Sequence, residues 1–522
     1  MTVATRNGAR ALVDALEERG VNYLFGVPGH GAYPIYGALN SVPGIQPIIG
    51  RNEQGAAFIA DGWAWTTNRV AICTSVPAAG LTNSATGLLE ATLHEERMLF
   101  LLEHEPGHRD VLRSVVRYYG RADRGEDVQP AFHRLMDQLE TERPAAAALE
   151  VPTEVLNAPV ERAGRRPTRP SPELPELRML DEAADLLSRA ERVAIVAGRP
   201  VVSAGAEGDL LRLAERLQAP VFAQQQAKGV MAEDHPLALG CTWSPTTPGE
   251  ELLTSADVVL AVGPRAGAAT GVRDPELLAR QLVHLDWDAA EQGEDKPARM
   301  KLAGHVGASL AILADLVRAR DKGAFPAEQL AAIREGPWRY AETRVPWAMG
   351  MFRSLREALP RDGLLFADSL VGLWVFRLIS AYGPRSFRFP HGTGTLGYSL
   401  PGVIGAKLAE PSREAIAIAG DGAFLYNPQE LATMLRYHQK LTMIVCNDNC
   451  YGAVRDNMTE RFGRAIGHEL ANPDFVQLAE AFDMRGVRLT EPGELGTALR
   501  AALEGDRSTL IEVPVEMRPP RY

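Results

Sequence analysis

Two acids, Asp421 and Asp448, close two apolar runs twenty-seven positions apart. The first stands between glycines in AIAIAGDG (415–422), and the second lies in the Asn-Asp-Asn tip of LTMIVCNDN (441–449). Carboxylates are hard oxygen donors. Two of them, with loop carbonyls and water, make the kind of site that Mg²⁺ takes and that phosphate oxygens complete. Gly420, Gly422 and Gly452 leave backbone N–H groups open to such an anion. The residues therefore read as a metal-bridged diphosphate site. Either tip alone reads equally as an ordinary strand–turn–helix with solvated acids, and the pair is the more specific signal.

For the tips to meet, the runs that carry them must be neighbouring strands, because parallel sheets collect ligands at their carboxyl edge. The stretch NPQELATMLRYHQK (427–440) between them has helical period, with Asn427 as an N-cap ahead of Pro428. A right-handed crossover then sets LTMIVCN beside AIAIAG. The same alternation of apolar run and helical stretch fills the chain. VAICTS, MLFLLE and AAAALEV fall in the first third; VAIVAG, DVVLAVG and LVHLD in the second; LLFADS, AIAIAGDG, MIVCNDN and TLIEVPV in the last. The fold class expected is α/β, with three doubly wound parallel-sheet domains. They span 1–165, 179–322 and 340–522, with linkers at 161–178 and 321–340.

Length and composition agree with that size. The 522 residues suffice for about three domains, and 46% hydrophobic with 23% charged residues is the balance of a globular protein. A net charge of −11 argues against a nucleic-acid surface, which needs clustered Lys and Arg, and favours a small-molecule ligand. The four cysteines, Cys73, Cys241, Cys446 and Cys450, have no zinc or disulfide spacing, which suits a reducing, cytoplasmic setting. The N-terminus has no apolar signal core, and no run of about 18 apolar residues occurs, so neither secretion by that route nor a membrane span is expected.

Gly-Asp-Gly, then 24 residues, then Asn-Asp resembles the signature of the thiamine diphosphate-dependent enzymes. That resemblance implies thiamine diphosphate and Mg²⁺ as cofactors, with the metal held by Asp421, Asp448 and the backbone carbonyl of Cys450. Asp448 stands where the family more commonly has Asn, which keeps an oxygen ligand and adds a charge. Gly420, Gly422, Ala423, Tyr451 and Gly452 are the residues implied around the diphosphate. RNEQGAAFIADGWAW (51–65) resembles the segment whose glutamate bonds the aminopyrimidine ring and drives deprotonation of the thiazolium. Glu53 is the implied acid, one positioned proton carrier beside a cofactor that acts as the electron sink. Standing alone, it reads as a surface glutamate opening a helix.

HGTGTLGYSLPGVIGAKLAE (391–410) admits two readings. Gly392, Gly394 and Gly397 fit G-x-G-x-x-G, so a nicotinamide-dependent oxidoreductase is the alternative from another class. The strand before them, SFRFPH, is short and broken by Pro390. By resemblance, Leu396 is the apolar wedge that bends the thiamine cofactor, and the Gly394 carbonyl receives its 4′-amino group.

Nearly the whole chain is similar to acetolactate synthase and its relatives, including benzoylformate and pyruvate decarboxylases. FGVPGHGAYPIYGAL (25–39), EDHPLALG (233–240), ADVVLAVGPR (256–265) and NPDFVQLAEAFDMRGVRLTEPGEL (472–495) carry that similarity. It implies 2-oxo acid decarboxylation with carboligation, or simple decarboxylation as the nearer alternative. It also implies a homodimer or homotetramer in which Glu53 of one subunit faces the diphosphate domain of another. A non-catalytic relative is the remaining alternative, opposed by the presence of Glu53, Asp421 and Leu396.

The departures concern substrate. EHEPGHRDVLRSVVRYYGRAD (103–123) is shorter than the synthase loop, and Asp456-Asn457 replaces an expected Gln-Trp pair. LGCTWSPTT (239–247) stands where flavin-dependent members differ, so no FAD is expected. His30 is a candidate proton carrier because imidazole titrates near neutrality, and it reads equally as a structural loop histidine. Val76 and Pro77 leave no counterpart to the His-Ser pair of benzoylformate decarboxylase. His104 and His108 lie in the short loop and His391 precedes the glycine-rich one; their expected roles are structural or open.

Overall fold

The computed structural model describes residues 6–160, 173–241, 248–263, 275–292 and 297–520. Among them are three six-stranded sheets in which every registered neighbour is parallel. The first contains β1 (Tyr23–Gly26), β2 (Gln46–Ile49), β3 (Ala71–Thr74), β4 (Met98–Glu103), β5 (Tyr118–Arg121) and β6 (Ala146–Val151), in the order β2-β1-β3-β4-β6-β5. The second contains β7 (Val193–Ala197), β8 (Val221–Ala223), β9 (Ala238–Cys241), β10 (Val258–Val262), β11 (Leu282–Asp286) and β12 (Met300–Ala303), in the order β12-β11-β10-β7-β8-β9. The third contains β13 (Leu364–Ala367), β14 (Phe387–Arg388), β15 (Ala415–Gly420), β16 (Thr442–Asn447), β17 (Arg485–Arg488) and β18 (Thr509–Pro514), in the order β14-β13-β15-β16-β18-β17.

The interior strands are apolar throughout because helices cover both faces of a parallel sheet. Ala415–Ala419 of β15 and all of β10 are buried, with no alternation of exposed side chains. Strands at the edges are more polar and partly exposed, as in β5 and β17.

The chain packs as two compact units. One gathers the described residues of Met1–Ser171 with Gly392–Ser412 and Asn427–Gln439; the other gathers those of Pro172–His391, Arg413–Tyr426 and Lys440–Tyr522. Within the first unit, the helix Glu53–Thr67 is the centre of packing. On one side lies the helix Ala79–Leu93, where a Cβ on Gly87 would stand 2.5 Å from that of Ala57. On another lies the helix Ser399–Ala409, where side chains on Gly62 or Gly405 would run into the backbone of the facing helix. Glycine here permits backbones to approach more closely than any other residue would allow.

Two expectations need correction. The supposed linker at 321–340 is largely helix: Ala327–Arg344 continues through Pro337, held by a buried face of Leu330, Ile333 and Ala341. The stretch after Asn427 is a 3₁₀ turn, Pro428–Glu430, followed by the short helix Leu431–Arg436. Asn427 precedes that turn without capping it: its side-chain oxygen accepts instead from the Gln429 amide at 2.9 Å, while its own amide donates to the Gly397 carbonyl at 2.8 Å. Residues 161–172 of the other expected linker, and the LGCTWSPTT segment beyond Cys241, lie outside the described residues.

Candidate functional site

In the second unit, β15 and β16 are adjacent, with Gly420 registered against Cys446. Asp421 opens a short helix, Asp421–Phe424, directly after β15, and Asp448 follows the last residue of β16. The two tips are thus brought together at one carboxyl edge, as the crossover argument requires. Burial, and after it the charge of Asp421, pushes the Asp448 carboxyl up to about 6, against the opposing pull of Arg455. Its Oδ2 is buried without a hydrogen-bond partner, and the Arg455 guanidinium stands 3.6 Å away.

Asn472 draws the same edge together. Its side-chain amide donates to Asp421 Oδ2 at 2.6 Å and to the side-chain oxygens of Asn447 and Asn449, each at 3.1 Å. An amide N–H surrounded by three oxygens marks where positive charge is favoured. No spacing rule pointed to Asn472, which lies 24 positions beyond Asp448 and opens the segment 472–495, where similarity alone gives it no role. Among the described residues no group of three His, Cys, Asp or Glu side chains converges on one ion. The donor set fits a cation held by two carboxylates and a main-chain carbonyl, with other positions left for phosphate and water.

The glycines divide by role. Beside Gly420 a Cβ would meet nothing within 4 Å, so that position faces open space. Gly422 and Gly452 are instead closely packed: a Cβ on the first would run into the Tyr451 ring, and one on the second would stand 2.6 Å from the Met517 carbonyl oxygen. Ala423 is buried behind them. Cys450 bridges Glu469 in an isolated antiparallel contact, and its Sγ lies 3.3 Å from His468 Nδ1. Burial raises its thiol, so Cys450 is not a thiolate by this geometry.

In the first unit, Glu53 is the first residue of its helix, behind the N-cap Asn52, whose side chain accepts from Gly55 N–H at 2.6 Å. One carboxylate oxygen, Oε2, accepts from the Asn83 amide at 3.0 Å. The turn before it is gripped by Glu430, which accepts from the backbone N–H of Arg51 at 3.0 Å and of Asn52 at 3.3 Å, and from the Thr433 hydroxyl at 2.6 Å. Glu430 is fully buried, and that burial holds its carboxyl above the ordinary carboxylate range. The sequence contains Glu430 within the Gly-Asp-Gly stretch, yet nothing in its type or spacing sets it apart from a solvated helix acid.

The loop 392–398 has a clear physical account. Gly394 and Gly397 adopt φ +66 and +80, left-handed conformations that favour glycine. Gly392 lies so close to the helix Ala79–Leu93 that a Cβ would stand 2.7 Å from the His94 ring. Only the two-residue β14 precedes the loop, so these glycines do not cap a dinucleotide-binding strand. Leu396 is half-buried, and its carbonyl accepts from Thr395 Oγ1 at 3.2 Å. Tyr398 is fully buried and bonded to Asp61.

The histidines separate as well. His30 is 85% exposed, with Nδ1 3.7 Å from Glu103 Oε2. That Glu103 oxygen is buried and has no hydrogen-bond partner among the described residues. His108 Nε2 accepts from Ala78 N–H at 3.1 Å, and both His104 and His108 face the buried Glu150, at 3.4 and 3.3 Å. Tyr119 donates to the same carboxylate at 2.5 Å. His104 and His108 are thus both tied to Glu150. His391 stacks at a tilt 5.6 Å from Phe389. Asp456, on the helix Gly452–Phe462, accepts from Arg455 at 3.0 Å.

Comparison with known proteins follows these lines. Residues 6–139, 180–313 and 370–513 match, in order, the N-terminal TPP binding domain, the central domain and the C-terminal TPP binding domain of thiamine pyrophosphate enzymes. A probable 2-ketoarginine decarboxylase of Pseudomonas aeruginosa is 31% identical over 98% of this chain and 94% of its own length. A probable acetolactate synthase large subunit of Methanocaldococcus jannaschii is 28% identical over 98% of this chain and 92% of its own. The large subunit of acetolactate synthase isozyme 2 of Escherichia coli is 27% identical over 98% and 96%. With three matched domains and a relative of this identity along its length, the chain belongs to the thiamine pyrophosphate-dependent, acetolactate synthase-like enzymes, which act on carbon–carbon bonds.

Proposed function

We propose that this chain decarboxylates a 2-oxo acid with thiamine diphosphate and Mg²⁺, and joins the remaining acyl carbon to an acceptor carbonyl or protonates it. The observation that carries the reading is the meeting of Asp421 and Asp448 at the ends of adjacent strands, with a buried, unbonded carboxylate oxygen. Asp421, Asp448 and the Cys450 carbonyl would hold the metal. Gly420, Gly422, Ala423, Tyr451 and Gly452 would surround the diphosphate, with Gly394 and Leu396 at the pyrimidine half. The bound cofactor would supply an electron sink for the bonding pair left on the former carbonyl carbon when CO₂ departs.

This chain's own acid is Glu53. Asn83 occupies one of its oxygens, which leaves the other to hold a proton at the pyrimidine nitrogen. His30, exposed at the same sheet edge, is the proposed proton carrier toward substrate. The reading includes domains at 1–165, 179–322 and 340–522, a homodimer or homotetramer with Glu53 facing another subunit's diphosphate domain, and a cytoplasmic setting. Among the described residues, no helix is long and apolar enough to cross a membrane.

A second reading, simple decarboxylation of a 2-oxo acid with a cationic far end, is favoured by Glu103. Its buried oxygen lacks a partner beside His30, and a guanidinium or ammonium would offset the cost of that burial. The relative named as a probable 2-ketoarginine decarboxylase fits this substrate class. Assays of CO₂ release from pyruvate and from 2-ketoarginine, each with product analysis, separate the readings. Acetolactate from pyruvate supports carboligation; turnover of 2-ketoarginine alone, lost in Glu103→Gln, supports the second. Neither activity in cofactor-loaded protein would overturn both.

A further inference from the structure

The helix Ala79–Leu93 carries two sets of polar contacts within the first unit. At its first turns, Asn83 donates to Glu53 Oε2 at 3.0 Å. Near its end, Glu90 Oε2 accepts from the Thr393 N–H at 3.0 Å and from the Thr393 hydroxyl at 2.6 Å. His94, which caps that end, accepts at Nε2 from Gly392 N–H at 2.6 Å and lies 3.0 Å from Glu90 Oε1. Positions 83, 90 and 94 are separated by seven and four, so all three side chains share one stripe of the helix.

The loop end of this arrangement is buried: Glu90 is fully inaccessible and His94 is 1% exposed. A hydrogen bond to a charged group in such surroundings is stronger than a surface one, and losing it is correspondingly costly. Thr393 passes the constraint onward, since its hydroxyl also accepts from Thr395 N–H at 3.1 Å. Gly392 has no room for a Cβ against the His94 ring, so the loop sits directly on the helix. Gly87 does the same for the packing of this helix on the Glu53 helix. Their common effect is to fix Gly392, Thr393 and Thr395, the residues around Gly394 and just before Leu396.

We propose that Glu90 and His94 are positioning residues for the pyrimidine half of the cofactor, clamping the 392–397 loop to the helix Ala79–Leu93. The inference rests on the thiamine diphosphate reading above. It assigns the two residues no contact with the cofactor; they act through Gly392 and Thr393.

The test is calorimetric titration of the full-length protein in excess Mg²⁺, with thiamine diphosphate and, separately, with inorganic diphosphate as a probe of the metal site alone. Glu90→Ala and His94→Ala should weaken thiamine diphosphate binding about tenfold or more, from loss of the buried bonds that hold Gly392 and Thr393. Inorganic diphosphate should bind as in the native protein. Glu90→Gln, which keeps an accepting oxygen for Thr393, should recover most of the affinity. Thr393→Val removes the hydroxyl bonds to Glu90 and Thr395 from the loop side, leaves the Thr393 N–H bond and the buried helix in place, and should weaken binding several-fold. At saturating cofactor, kcat should fall while substrate KM stays within about twofold.

Unchanged thiamine diphosphate affinity in the alanine variants and in Thr393→Val would overturn the proposal. So would an equal loss for both ligands, which would mean general damage to the fold. Failure of the native protein to bind thiamine diphosphate would instead remove the functional reading, and this inference with it.

Discussion

At Asp448 a second negative charge sits beside Asp421 with one oxygen buried and without a hydrogen bond, a cost that Arg455, 3.6 Å away, offsets only in part. Asp448→Asn keeps an oxygen and removes the charge. In metal-free protein it should raise the melting temperature by about 2 °C, the shift expected from roughly 1 kcal/mol, as scanning calorimetry would show. With Mg²⁺ and thiamine diphosphate present, that advantage should shrink, because the cation already offsets the repulsion. Glu53 makes a different prediction. Glu53→Gln preserves shape and the bond to Asn83, so cofactor affinity should stay within about tenfold. Turnover should fall roughly 10²- to 10⁴-fold, the range for loss of a positioned proton carrier. A variant that turned over normally would remove Glu53 from the chemistry. At this scale the sequence was informative where an acid stood at a polar tip of an apolar run or in a recognisable segment. Asp421 and Asp448 stand out by their neighbours, whereas Asn472 and Glu430 act through distant partners that no local spacing reveals.

The helices of the first unit meet through missing side chains. At Gly405 a Cβ would enter the backbone of the Glu53 helix at Ile59, and at Gly62 it would enter Gly402. Neither obstacle is a flexible side chain, so the helices must move apart. Gly405→Ala should cost about 1–3 kcal/mol, the usual range for overpacking, and lower the melting temperature by roughly 3–10 °C. Glu430, in the turn that grips Arg51 and Asn52, predicts a pH effect. Burial raises its carboxyl above the ordinary 4.5, so the folded chain holds that proton more tightly than the unfolded one. The stability it contributes is present below the unfolded value and is lost as pH rises through the folded value. Glu430→Gln should flatten that part of the stability–pH profile, as urea titrations at about pH 4 to 7 would show. Among elements, continuous apolar runs such as β15 and β10 were legible because both faces of a parallel strand are buried. Edge strands such as β5 and β17 were not, since tyrosine, arginine and glycine there carry no recognisable period. The helix Ala327–Arg344 was hidden by Gly336 and Pro337, whose usual meaning as breakers is overridden by the packing of its buried face.

For the whole molecule, three sheets of parallel strands and a family match along the length agree with what alternating runs and spaced motifs foretold. The packing into two units was not foretold. Residues 392–412 and 427–439 are distant in sequence from the first sheet's strands, and glycine-mediated helix contacts together with the bonds of Glu90, His94, Tyr398, Glu430 and Tyr437 draw them into that unit. A cofactor that binds only the folded chain stabilises it by mass action, by about 2.7 kcal/mol at a hundred times its Kd. Thermal stability should therefore rise with thiamine diphosphate in the presence of Mg²⁺ and fall back when the metal is chelated. The most direct measurement is calorimetric titration of the metal-loaded protein with thiamine diphosphate, in the native chain and in Asp421→Ala. The account predicts saturable binding that requires Mg²⁺ and is lost in the variant. Absence of binding in the native chain, or equal binding by Asp421→Ala, would contradict it.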